Sequence, residues 1–137
     1  MHKTFFALYV GIAGFLIKRR NIEYGGEAFG KAFENFIYHE IYSYSHYSDK
    51  NFPVYYWRTT SQLEVDFILG DHEVAVEVKS SDMVNPHHLN GLKSFSEEYK
   101  VGKLIVVSTD PYPRMINDII VLPWKIFLER LWAGEII

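Results

Sequence analysis

A chain of 137 residues with 48% apolar and 17% aromatic content can bury one real core, which rules out intrinsic disorder. It has no cysteine, which excludes disulfides, thiol catalysis and thiolate zinc sites and suits a cytoplasmic setting. The formal net charge of −3 provides no general attraction for nucleic acid, so DNA binding would require a local basic surface or a metal ion.

In chain order, the apolar run from Thr4 to Ile17 is preceded by Lys3 and followed by Lys18, Arg19 and Arg20. A membrane-spanning helix needs about 20 apolar residues. This run is shorter and contains Gly11 and Gly14, so the expectation is a buried strand over Phe5–Val10, a helical turn over Gly11–Ile17 and no membrane anchor. Phe29, Phe33, Phe36, Ile37, Ile41 and Tyr44 recur at three- and four-residue spacing and predict a helix from Glu27 to about Tyr44. Val54–Arg58, Leu63–Leu69 and Glu73–Lys79 read as strands, the last two joined as a hairpin by Gly70-Asp71. Asn85 as N-cap and the stripe Leu89, Leu92, Phe95, Tyr99 predict a helix over 86–100. Leu104–Val107 reads as a strand buried on both faces, and Pro123 opens a final amphipathic helix through Trp132. No repeat or linker interrupts the chain, which is expected to form a single domain over 1–137.

Alternation along Glu73–Lys79 sends Val74, Val76 and Val78 to one face and Ala75, Glu77 and Lys79 to the other. In the preceding strand the same rule groups Glu64, Asp66 and Ile68 against Val65, Phe67 and Leu69. A hairpin would then bring Asp66 towards Glu77 and Lys79, on one side of the sheet, with the helix from Glu27 packed close by. Charges among such apolar neighbours are costly unless paired or bound to a metal. A hard dication, Mg²⁺ or Mn²⁺, answers that requirement, because it binds through one or two carboxylates and keeps several waters. Asp66 and Glu77, with the Val78 carbonyl, are the candidate ligands. Lys79 is the candidate for orienting the attacking water and stabilising charge on a phosphate.

Four segments resemble a known family when taken together: Gly-Lys-Ala-Phe-Glu-Asn-Phe-Ile at 30–37, Tyr-Trp-Arg-Thr-Thr at 56–60, Glu-Val-Asp-Phe-Ile-Leu at 64–69 and Ala-Val-Glu-Val-Lys-Ser at 75–80. With the Leu-Pro-Trp-Lys-Ile-Phe-Leu-Glu-Arg-Leu-Trp tail at 122–132, they look like the C-terminal domain of an uncharacterised family of prokaryotic AAA-type ATPases. That domain is similar to PD-(D/E)xK nucleases such as archaeal Holliday-junction resolvases. The resemblance implies an α/β, restriction-endonuclease-like core: a central mixed β-sheet flanked by helices, with Asp66, Glu77 and Lys79 as the core motif. It also implies an upstream helical acid, for which Glu34 matches and Glu40 is the alternative. DNA as substrate, an ATPase as associated partner and a homodimer suited to two-fold DNA belong to the same implication.

The sequence departs from that pattern in two places. It has no Gly-x-x-x-x-Gly-Lys-Ser/Thr loop for a nucleotide, and Tyr9 stands where the family carries an aspartate before its Val-Gly or Thr-Gly. Two functions therefore compete: a metal-dependent endonuclease acting on DNA, and a silent module of the same fold that docks DNA or protein beside an ATPase. Among weaker candidates, His87 and His88 are adjacent on a helix and point apart, and Arg58 and the Lys18-Arg19-Arg20 cluster read first as solvated surface.

Overall fold

The computed structural model describes residues 26–137; the expectations for Phe5–Val10, Gly11–Ile17, Tyr9 and Lys18-Arg19-Arg20 lie outside the described residues. The chain runs α1 (Glu27–Tyr47), β1 (Val54–Arg58), β2 (Glu64–Leu69), β3 (Val74–Lys79), a 3₁₀ turn (Pro86–Leu89), α2 (Asn90–Glu98), β4 (Lys103–Ser108), β5 (Arg114–Ile116), β6 (Ile119–Pro123) and α3 (Trp124–Trp132). The described residues thus form an α/β fold. Its six-stranded sheet has the order β1-β2-β3-β4-β6-β5, in which β3–β4 and β4–β6 pair in parallel and the other pairs are antiparallel. No helix among them is long and apolar enough to cross a membrane.

Helices cover both faces. On one, α1 lays Phe33, Phe36, Ile37, Ile41 and Tyr44, the spacing that predicts the helix, against Val74, Val76, Val78, Ile105 and Val107. Phe127, Leu128 and Leu131 of α3 complete that layer. On the other face α2 sets Leu92 and Phe95 against Val65, Ile68, Ala75, Leu104 and Val106. With neighbours on both sides and helices above and below, β3 and β4 are buried along nearly their whole length. Burial of one such Ile, Leu or Phe stabilises the fold by roughly 1.5–3 kcal/mol.

Three local expectations change. The single helix over 86–100 is a 3₁₀ turn leading into a shorter α-helix: the Asn85 side chain accepts from the His87 and His88 N–H groups, and Pro86 follows it, so the first turn winds tightly. The β5–β6 hairpin was not foreseen. Its signal is Asn117-Asp118 between two apolar runs, with Asn117 at φ 55° in a two-residue turn. The third change concerns β2, where Val65 packs with Ile68 on the α2 side and not with Phe67 and Leu69. Tyr55 pairs with Ile68 and Trp57 with Val65, so β2 carries one more residue than β1 across that step, a β-bulge. The extra residue reverses the alternation around Asp66.

α2 reaches β2 closely at Gly91, where a Cβ would overlap the Glu64 carbonyl oxygen, whose carbon would be 3.0 Å away. That neighbour is backbone and cannot swing aside. Gly91→Ala is therefore expected to destabilise the domain by about 1–3 kcal/mol, seen as a lower urea midpoint with an unchanged slope. An unaltered midpoint would show that the helix and strand separate at little cost.

Candidate active site

The site lies where β2 leaves β3. Their ladder runs from Leu69↔Val74 to Phe67↔Val76. Beyond it the Val78 N–H, which a continued ladder would give to a backbone carbonyl, donates instead to Asp66 Oδ2 at 2.8 Å. The bulge next to Asp66 makes this substitution, and the bond fixes a carboxyl that is only 8% exposed.

Glu77, 3% exposed, follows one residue before the Val78 anchor. Parity with Ala75 places Glu77 and Lys79 on the α2 side of the sheet, opposite the face on which α1 packs. As the alternation predicts, the valines and not the charged residues line the α1 face, while α1 still brings Glu34 within electrostatic reach of Asp66 and Lys79. The Asp66 and Glu77 carboxyls are nonetheless close enough for Asp66 to favour the protonated form of Glu77. Burial first, then the nearby Asp66 carboxyl and its charge, hold Glu77 far above the ordinary carboxylate range, while Lys79 pulls it back. At 3.8 Å from Glu77 Oε1, Lys79 Nζ is a loose ion partner, too distant for a hydrogen bond and partly open to solvent. Burial and the second carboxyl outweigh it.

Glu34 approaches from the first half of α1. Burial and the Asp66 charge raise its pKa, with Lys31 (4.0 Å away) and Lys79 opposing, so it is within electrostatic reach of the pair. Glu40 faces elsewhere. It is 2% exposed, accepts from Trp132 Nε1 at 3.1 Å and leaves Oε1 without a partner, and burial raises its pKa. It joins α1 to α3. Among the described residues, no group of three or more His, Asp or Glu side chains is gathered for a metal ion, so the acidic centre is the Asp66–Glu77 pair.

Arg58 is exposed and bonded to Gln62, and His87 is exposed with its Nδ1 3.4 Å from Asn90 Nδ2. Two neighbours of the site were not legible. Tyr56, 57% exposed, donates its hydroxyl to Glu64 Oε2 at 2.5 Å and feels the Asp66 charge. His88 stands within range of the Lys79 charge. Tyr56 meets Glu64 only because β1 pairs with β2, and the one sequence signal for His88 is the capping Asn85 three residues before it.

The fold and site together define an α/β domain with a mixed sheet and a buried carboxyl pair beside a lysine at a strand divergence. The family described as "Domain of unknown function (DUF4143)", a domain often linked to AAA-type ATPases, matches residues 29–127. The chain belongs to that family. No curated protein matches it.

Proposed function

We propose that this domain is a metal-dependent endonuclease-like unit of PD-(D/E)xK type that hydrolyses DNA phosphodiesters. The observation that carries the proposal is the buried Asp66 and Glu77 carboxyls at the end of the β2–β3 ladder, with Lys79 at their rim. Two buried carboxyls, of which Glu77 favours its protonated form without metal, offer the charge and oxygen donors that suit a hard dication, and this supports Mg²⁺ or Mn²⁺. Asp66 and Glu77, with the Val78 carbonyl, would hold it. When bound, such an ion acidifies water and neutralises phosphate charge. The Lys79 ammonium would hold the water that attacks phosphorus and face the charge that builds as the ester P–O bond breaks. Glu34 is the additional acid, near enough to bias the pair. Asp66, tied to the Val78 N–H, supplies a carboxylate that does not need to reorganise.

The purified chain with Mn²⁺ or Mg²⁺ is expected to nick or cleave DNA, with branched DNA preferred over linear or single-stranded, in keeping with the resemblance to junction resolvases. Asp66→Asn, prepared identically, should lose cleavage along with the metal-dependent rise in melting temperature, because it removes a ligand. Equal cleavage by the two preparations would identify a contaminant and end this reading. The competing reading, a silent docking module beside an ATPase, draws on the net charge of −3 and the two-carboxyl centre. Absence of cleavage on all three DNA forms would favour it.

A further inference from the structure

Helix α1 is fixed against the site at two points. Near its start, Gly30 lies so close to Ser80, the residue after Lys79, that a Cβ there would sit 3.1 Å from Ser80 Oγ. Farther along, the Tyr38 ring is 5.7 Å from that of Phe67, the residue after Asp66. From Tyr38 a row of rings leads away from the site at four-residue spacing. Tyr42 is 6.1 Å from Tyr38 and His46 is 4.3 Å from Tyr42, centroid to centroid. The buried face of α1 is made by Phe33, Phe36, Ile37, Ile41 and Tyr44, so the core does not require this row. Tyr38 is half-buried, whereas Tyr42 keeps 49% of its surface exposed and His46 is exposed. Between Glu34 and Asp49 the one carboxyl group is that of Glu40, which is buried and bonded to Trp132. In a chain of net charge −3, the row is therefore a surface that an anionic strand can approach, with imidazoles at His39 and His46.

We infer that Tyr42, with Tyr38 and His46, is a stacking surface for unpaired nucleobases of the DNA strand that leads to the Asp66–Glu77–Lys79 site. This deepens the nuclease reading and rests on it. Every nucleobase has a flat face that stacks on an aromatic ring, whatever the sequence. At a rise of about 1.5 Å per residue, the rings recur about every 6 Å along the helix. That is wider than the step of about 3.4 Å along a duplex strand, and suits bases that have come apart. Two phenols and an imidazole, with no aliphatic side chain in the row, favour flat, polar-edged bases over the apolar face of a protein. Tyr47 is more exposed, but its ring lies 6.0 Å from Trp132, on the α3 side and outside the row.

The test uses the full chain, with Ca²⁺ for binding and Mn²⁺ for cleavage. Its three DNAs are a fork with one unpaired arm, the same fork with that arm abasic, and a blunt duplex. Wild type should bind the intact fork about tenfold more tightly than the abasic fork, the effect of one stacked base. Tyr42→Ala should lose that preference, with KM raised in step and kcat little changed, and should bind the duplex as wild type does. Tyr42→Phe, which keeps the ring, should match wild type on the fork, and so should Tyr47→Ala. The abasic arm keeps every phosphate, so the comparison within wild type separates stacking from charge and does not depend on the folding of a variant. Equal wild-type Kd for the two forks would overturn this inference, as would an undiminished preference in Tyr42→Ala. Cleavage by wild type in either case would leave the nuclease reading standing. A dimer seen by sedimentation without DNA and dissolved by Tyr42→Ala would assign the row to a second copy instead. No DNA binding or cleavage by wild type on any of the three would overturn both.

Discussion

Lys79→Ala is expected to lower kcat for DNA cleavage about 10²–10³-fold at saturating Mn²⁺, the effect of removing one preorganised donor from a developing oxyanion. DNA affinity should fall far less. Lys79 Nζ is 3.8 Å from Glu77 and partly solvent-exposed, so in the ground state it is a loosely held charge whose contribution to binding is modest. Its contribution grows only as charge builds on the phosphate, and an interaction of that kind appears in kcat and not in KM. One complication can be foreseen. Lys79 counters the rise in the Glu77 pKa, so its loss raises the proton affinity of Glu77 and changes the electrostatics that any metal would meet. The comparison must therefore be made at metal concentrations that saturate each protein, with metal-dependent melting confirming that the variant still binds. A kcat within a few-fold of wild type under those conditions would remove Lys79 from the chemistry.

The second large effect appears in stability without metal. Glu77→Gln is expected to melt higher than wild type at neutral and alkaline pH and to lose the part of the pH dependence that Glu77 contributes, while that of Glu34 and Glu40 remains. The folded pKa of Glu77 lies above its ordinary value of 4.5 because burial and Asp66 disfavour a second charge. Between those two values the folded state retains a proton that the unfolded state has released. The contribution of this group is therefore complete below 4.5 and is lost as pH rises through the raised value. One such proton gives a slope of up to about 1.4 kcal/mol per pH unit. For a domain of this size each kcal/mol corresponds to roughly 4 °C in Tm. Glutamine can donate to Asp66 and carries no charge at any pH, which removes the share of the slope that Glu77 contributes. Mg²⁺ or Mn²⁺ should raise the wild-type Tm by binding only the folded protein and should leave Glu77→Gln nearly unmoved. Superimposable pH–melting curves for the two proteins from about pH 5 to pH 9 would refute the raised Glu77 pKa.

Much of the architecture was legible because it rests on short-range physics. The Phe33/Phe36/Ile37/Ile41/Tyr44 spacing determines a helix with one apolar face, and that face is the one buried. The alternation of Val74, Val76 and Val78 determines their common side, and the unbroken apolar run at Leu104–Val107 determines a strand covered above and below. Asp66, Glu77 and Lys79 stand out for the same reason, as charged residues in segments otherwise bound for the core. Three matters could be decided only by the tertiary structure. The side taken by Val65 depends on a bulge whose register is set by β1, a strand six residues earlier with no signal of its own in β2. What distinguishes Glu34 from Glu40 is what each helical face meets: Trp132 of α3 binds Glu40, while Glu34 lies within electrostatic reach of Asp66 and Glu64 on β2. The hydrogen bond from Val78 to Asp66 exists only because β2 leaves the β3 ladder at Phe67. Sequence periodicity determines which residues share a face, because that is a property of one element's own backbone. Which charged groups meet across elements depends on strand register and helix placement, which are settled by packing of the whole sheet.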